Sequence, residues 1–82
     1  MYSTAEKNRL RWRSRRGMLE LDLLLVPFFD QSFEALSAEQ QDTFVLLLAQ
    51  EDPDLMLWFS RNGISSDSDL QALVEFILDA LQ

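Results

Sequence analysis

The chain predicts an all-α domain, a compact five-helix bundle over residues 1–82, and three observations carry that reading. Its apolar stripes recur at helical spacing, its helix starts carry capping signals, and no segment alternates with the period of a strand. Eighty-two residues make one small domain that buries about 60 to 65% of its unfolded surface. The core must therefore be lean, with little room for a deep substrate cavity.

Ser3-Thr4-Ala5-Glu6 is a capping box, so a first helix runs from about Thr4 to Arg16. Gly17 offers the left-handed residue that ends it, and its basic last turn suits the helix dipole. A second helix, about Met18 to Phe33, is apolar at Leu21, Leu24, Leu25, Phe28 and Phe29, and Leu23 and Val26 widen the stripe to most of the circumference. Such a helix belongs at the centre. Pro27 removes a backbone donor within it, which predicts a kink or a break.

Ser37-Ala38-Glu39-Gln40 is a second capping box and opens a third helix that runs through Gln50, with Phe44, Leu47 and Leu48 inward. Asp52-Pro53 reads as a cap followed by proline at the first helical position, and Gly63 as the stop of a fourth helix carrying Leu55, Met56, Trp58 and Phe59. The fifth begins near Ser66 and has the cleanest stripe: Leu70, Leu73, Val74, Ile77, Leu78 and Leu81. Phe76 falls outside that stripe, on a position expected to be exposed.

Charge changes sign at Gly17. Six cations against Glu6 give +5 up to Arg16, whereas Arg61 faces thirteen carboxylates afterwards, giving −12 and the overall −7. The absence of cysteine removes disulfides, thiolate nucleophiles and iron-sulfur ligands, and the absence of histidine removes the commonest general base and zinc ligand. Enzymatic chemistry is not expected. The N-terminal residues lack the apolar stretch of a secretory signal, and Leu23 to Phe29, bounded by Asp22 and Asp30, falls far short of the roughly 20 residues that span a bilayer. A cytoplasmic protein without membrane insertion is expected.

Four groups of residues invite a functional reading. Arg9-Leu10-Arg11-Trp12-Arg13 interleaves arginines with an aromatic and could touch phosphates and stack on a base, but it reads equally as a solvated helix face with Trp12 tucked partly against the bundle. With a net charge of −7, general nucleic-acid binding is not expected, and an acidic protein partner suits the block better. Glu51, Asp52 and Asp54 cluster around Pro53, and Asp67 lies near Asp69. Neither spacing follows a calcium loop, and capping accounts for acids at helix starts, so no metal is expected. Phe28, Phe29, Phe33, Phe44, Trp58, Phe59 and Phe76 could line a flavin slot, but aromatic residues at helical spacing are more often core. Finally, Arg15-Arg16-Gly17-Met18-Leu19-Glu20 sets an arginine and a glutamate on either side of one turn. Local helix physics by itself accounts for each of these residues.

The string Arg16-Gly17-Met18-Leu19-Glu20 resembles the Arg-Gly-x-x-Glu motif of the small succinate dehydrogenase assembly factors, the flavinylation factors of bacteria and their mitochondrial relatives. The likeness includes Trp12 and Arg15 upstream, Leu21-Asp22 after the motif, Pro27-Phe28-Phe29, Leu36-Ser37, and Asp52-Pro53-Asp54-Leu55 followed by Trp58. It is dense from about Arg9 to Gly63. The resemblance implies a five-helix bundle that binds the flavoprotein subunit of succinate dehydrogenase, or of fumarate reductase, and promotes covalent attachment of FAD to that subunit. In such a factor the partner carries the histidine that is joined to the flavin, and FAD is not held stably by the factor itself.

Carried over by position, Arg15, Arg16, Gly17, Glu20 and Asp22 are the partner-binding residues, with Trp12, Asp52 and Asp54 as additional contacts. The resemblance also leaves an antitoxin-like alternative, in which the acidic surface neutralises a toxin partner.

Overall fold

The computed structural model describes residues 2–81. All of its regular structure is helical: α1 Thr4–Ser14, α2 Leu19–Ser32, a 3-10 turn Phe33–Ala35, α3 Ala38–Leu48, α4 Asp52–Phe59 and α5 Ser68–Ala80. The expected all-α five-helix bundle is therefore the observed architecture. Both capping boxes form. Ser3 Oγ accepts the Glu6 N–H at 3.1 Å while the Ser3 N–H donates to Glu6 Oε1 at 2.8 Å, and Ser37 and Gln40 repeat the exchange at 3.1 and 3.0 Å. At the start of α5, the Asp67 carboxylate accepts from the N–H groups of Asp69 and Leu70.

Helix α2 is central, as its wide apolar stripe predicts. It contributes Leu21, Leu25, Phe28 and Phe29 to a core completed by Phe33, Phe44, Leu47, Leu48, Leu55, Phe59, Leu70, Leu73, Val74 and Ile77. Phe33 stands between Phe29 and Phe44, with ring centroids 4.8 and 5.7 Å away, and Phe28 lies 5.9 Å from Phe44. These rings fill one another's space, so they are core and line no flavin slot. Phe76 is half exposed and packs edge-on against Phe28.

Four boundaries differ from the sequence expectation, each for a local reason. Helix α1 stops at Ser14, two residues early, because Arg15 is extended at φ −87° and ψ 106° while the buried Ser14 hydroxyl donates back to the Leu10 carbonyl. Helix α3 stops at Leu48 and the chain turns through Ala49 and Gln50. The cap of α4 is Glu51, and Asp52 and Pro53 are its first two residues, since the Asp52 carboxylate is drawn away to Arg16. Leu81 ends α5 as its C-cap and is exposed. No break occurs at Pro27: α2 runs through it as one helix.

Gly63 is not the stop of α4. That role falls to Arg61, at φ 62°, in a Schellman arrangement where the Asn62 N–H reaches the Leu57 carbonyl and the Arg61 N–H the Trp58 carbonyl. Gly63 is needed for close approach instead, because a Cβ there would stand 2.7 Å from the Leu57 side chain.

Helix α1 gives the core little beyond Leu10 and Ser14, so polar ties hold it. Lys7 pairs with Glu34, Arg11 donates from Nε and Nη2 to the Asp30 carboxylate at 2.7 and 3.0 Å, and the Tyr2 hydroxyl donates to Asp42 at 2.6 Å. That last bond pushes the Tyr2 phenol up to about 12. The Arg11 guanidinium holds the Asp30 carboxyl below its ordinary range.

Two outcomes are expected. By NMR titration Asp30 should titrate below an ordinary aspartate and return towards it in Arg11→Ala. Its stabilising contribution, small for so exposed a pair, is present above the unfolded carboxylate range and lost as pH falls through the lowered folded value. In thermal unfolding, Arg61→Gly should exceed Arg61→Ala by about 1 kcal/mol, since both lose the Arg61–Glu75 pair but alanine alone keeps the left-handed strain.

Candidate functional site

The α1–α2 corner is built around Arg16. Its backbone N–H donates to Asp22 Oδ1 at 2.6 Å, fixing the turn to the first full turn of α2. Its side chain turns inward, with 14% exposure, and uses the whole guanidinium fork. Nε donates to Asp52 Oδ1, Nη1 to the Leu48 carbonyl and Nη2 to the Gln50 carbonyl, all at 2.7 Å, and Nη1 also reaches the Arg13 carbonyl at 3.3 Å. Carbonyls at a helix end have no intrahelical partner. Arg16 supplies one to the α3 end while bridging to the first residue of α4.

Gly17 follows at φ 79°, between two helices, as the sequence predicts. A Cβ built there would meet nothing within 4 Å, so the requirement is conformational and its surroundings are open. Met18 is an extended N-cap whose side chain makes no capping bond. Glu20 then stands exposed on the first turn of α2, and among the described residues it makes no hydrogen bond or ion pair.

The sequence-predicted site residues thus divide. Arg16, Asp22 and Asp52 are brought together in one internal network. Trp12, Arg15, Gly17, Glu20 and Asp54 lie at the surface, and Trp12, at 73% exposure, is not tucked against the bundle. Sequence reasoning missed the carbonyls of Leu48 and Gln50 as partners of Arg16, although the short α3–α4 link signals unmet acceptors. It also placed Leu23 in the stripe that makes α2 central, whereas Leu19 and Leu23 are 69% and 63% exposed.

An open groove of about 780 Å³ lies between α3 and α5, lined by Glu39, Asp42, Asp69, Leu73 and Phe76 among others. Its carboxylates would repel a dinucleotide's phosphates. Among the described residues, no group of three or more carboxylates is placed to hold a metal ion.

Residues 8–80 match the sequence model of the family described as flavinator of succinate dehydrogenase. This chain belongs to that family. The FAD assembly factor SdhE of Pseudomonas aeruginosa is 49% identical over 82 residues, covering 100% of this chain and 98% of the relative. The Vibrio cholerae protein of the same name is 44% identical over 78 residues, 95% of this chain and 91% of that one. A UPF0350 protein solved in solution superposes with a TM-score of 0.82 at 42% identity, covering 99% of this chain and 86% of that chain. Within the flavinator family frame, the Arg-Gly-x-x-Glu element of this chain is a turn clamped from inside by its arginine, with its glutamate outside.

The clamp has a measurable signature. Arg16→Ala leaves the Asp52 carboxylate and two carbonyls without their partner, and it should lower stability by about 2 to 3 kcal/mol or more in chemical denaturation. Arg16→Lys should recover little of this, since one ammonium cannot present three donors in the geometry of a guanidinium fork.

Proposed function

We propose that this protein is an assembly factor that binds the flavoprotein subunit of succinate dehydrogenase, or the similar subunit of fumarate reductase, and promotes covalent attachment of FAD to it. The observation that carries the reading is a rigid, left-handed turn that presents an unpartnered Glu20 at the surface in a chain of the flavinator family. The factor is a non-catalytic template. With no histidine, it offers no histidyl attachment point for the flavin, which on this reading lies on the partner. FAD is cargo of the partner and is not retained by the factor.

Mechanistically, the template binds one arrangement of the partner's domains and raises its population, so that flavin and acceptor side chain meet more often. Gly17 allows close backbone approach. Glu20 supplies a charge-assisted hydrogen bond, Arg15 and Trp12 add a cation and an aromatic surface beside the turn, and Asp54 is a further exposed contact. Arg16, Asp22 and Asp52 serve binding by holding the turn in place. The cytoplasm is the proposed site of action. Among the described residues, no helix is long and apolar enough to cross a membrane.

Glu20→Ala should leave thermal stability nearly unchanged, because a first-turn acid contributes only about 0.3 to 1 kcal/mol through the helix dipole. It should weaken capture of the flavoprotein subunit by roughly tenfold or more, as expected when a charge-assisted bond of about 1.5 to 3 kcal/mol is lost. Glu39→Ala, an exposed first-turn acid on α3, is the control. Equal affinity of the two variants at one salt concentration would count against a contact role for Glu20, and failure of the unaltered protein to raise the covalent flavin content of the subunit would count against the function itself.

A further inference from the structure

We infer that α1 is a detachable strap, which leaves the bundle and unravels as one unit while α2 to α5 stay folded and the Arg16 turn stays set. Of the eleven residues of α1, only Leu10 and Ser14 are buried, and the Ser14 hydroxyl donates back to the Leu10 carbonyl within the same helix. One leucine supplies most of its apolar anchorage. Tyr2, just ahead of the helix, adds a ring edge-on to Phe33 at 5.7 Å. The seam is loose, since a cleft of about 190 Å³ between α1 and α3 is lined by Tyr2, Leu10 and Val45 together with Arg9 and Arg13. The other ties, Lys7 to Glu34, Arg11 to Asp30 and the Tyr2 hydroxyl to Asp42, lie at the surface, where such bonds are weak and salt screens the ion pairs.

The strap ends at Arg15, which is extended and stands between the last residue of α1 and the clamped Arg16. Arg16 belongs to the body of the bundle. Its backbone N–H is tied to Asp22 and its guanidinium to Asp52 and the Leu48 and Gln50 carbonyls, at 2.6 to 2.7 Å, whereas its one bond into α1, to the Arg13 carbonyl, is the longest at 3.3 Å. When α1 leaves, the clamp loses only that bond.

Once released, a helix of eleven residues is too short to hold its form in water, so departure and unravelling are one event. Charge draws the segment back: it carries five cations against Glu6, and the body carries thirteen carboxylates against Arg16 and Arg61. The turn bearing Gly17 and Glu20 therefore persists with α1 docked or released, and release bares the seat of Leu10 on α2 and α3.

Native-state hydrogen exchange of the whole chain, followed by NMR, tests the separation. The amides from Lys7 to Ser14 should share one opening, with protection about tenfold or more below that of the core amides of α2 and α5. The Arg16 amide should be protected with α2. Ile77→Val trims a buried residue of the body, so it should lower α5 protection severalfold and leave α1 protection unchanged. Urea below the unfolding transition should likewise speed α5 exchange steeply and α1 exchange little, because the smaller opening exposes less surface. Arg11→Ala and Tyr2→Phe, each removing one surface tie, should speed α1 exchange severalfold. Protection that falls equally in α1 and α5 on Ile77→Val or in urea would overturn the inference. So would protection that climbs steadily from Lys7 to Ser14, as in a helix frayed from its first turn, an Arg16 amide that exchanges with α1, or α1 exchange that neither tie variant alters.

Discussion

The Arg16 side chain is the constraint on which the rest of the structure depends. A bundle of five short helices can bury only so much, and α1 contributes little to the core besides Leu10 and Ser14. A single guanidinium compensates by joining three places distant in sequence: the end of α3, the link after it and the first residue of α4. Its neighbouring backbone N–H adds a fourth tie to α2 through Asp22. Charge-assisted bonds from a largely sheltered arginine are stronger than those of an exposed ion pair, and the planar fork fixes direction as well as distance. Remove it and the end of α3 and the start of α4 lose their fastening to the end of α1, while the backbone tie to Asp22 remains.

This arrangement divides labour within five consecutive residues. Arg16 faces inward and Glu20 outward, with Gly17 between them in a conformation other residues resist. A motif read as a pair of opposite charges aimed at a partner is, in the folded protein, one fastening and one exposed carboxylate, which the proposed function makes a contact. On the proposed function, losing either would impair assembly by a different physical route, the first through the placement of the turn and the second through the contact itself. Stability measured beside affinity distinguishes them.

Most of the fold was legible in the sequence because short-range physics sets it. Ser3 and Ser37 cap as their spacing says, α2 is central as its stripe says, and Gly17 is left-handed because two helices meet there. Where reading failed, a tertiary partner had outbid a local rule. Asp52 looks like a cap until Arg16 claims its carboxylate, and Gly63 looks like a stop until Arg61 takes the left-handed position and Leu57 crowds the glycine. The site was legible in its residue types but not in their orientation. No local pattern says that one arginine of Arg15-Arg16 points to solvent and the next to the α3 carbonyls, and α2 looked apolar almost all round because a core face and an exposed ridge share one helix.

The reversal of charge at Gly17 is in the first instance an intramolecular device. Lys7, Arg11 and Arg16 each meet a carboxylate from the acidic remainder, on the 3-10 turn, α2 and α4 respectively, so a poorly apolar helix is drawn onto the bundle by the asymmetry itself. Half of the basic block is thereby spent, which weakens the case for a nucleic-acid surface, where a continuous run of free cations would be needed to track phosphates. The remaining Arg9, Arg13 and Arg15 cannot be neutralised by the same geometry, because they occupy other sides of α1 or lie beyond its end. What the fold leaves over at the corner that Arg16 makes rigid is one cation, Arg15, with the exposed Trp12 and the unpartnered Glu20.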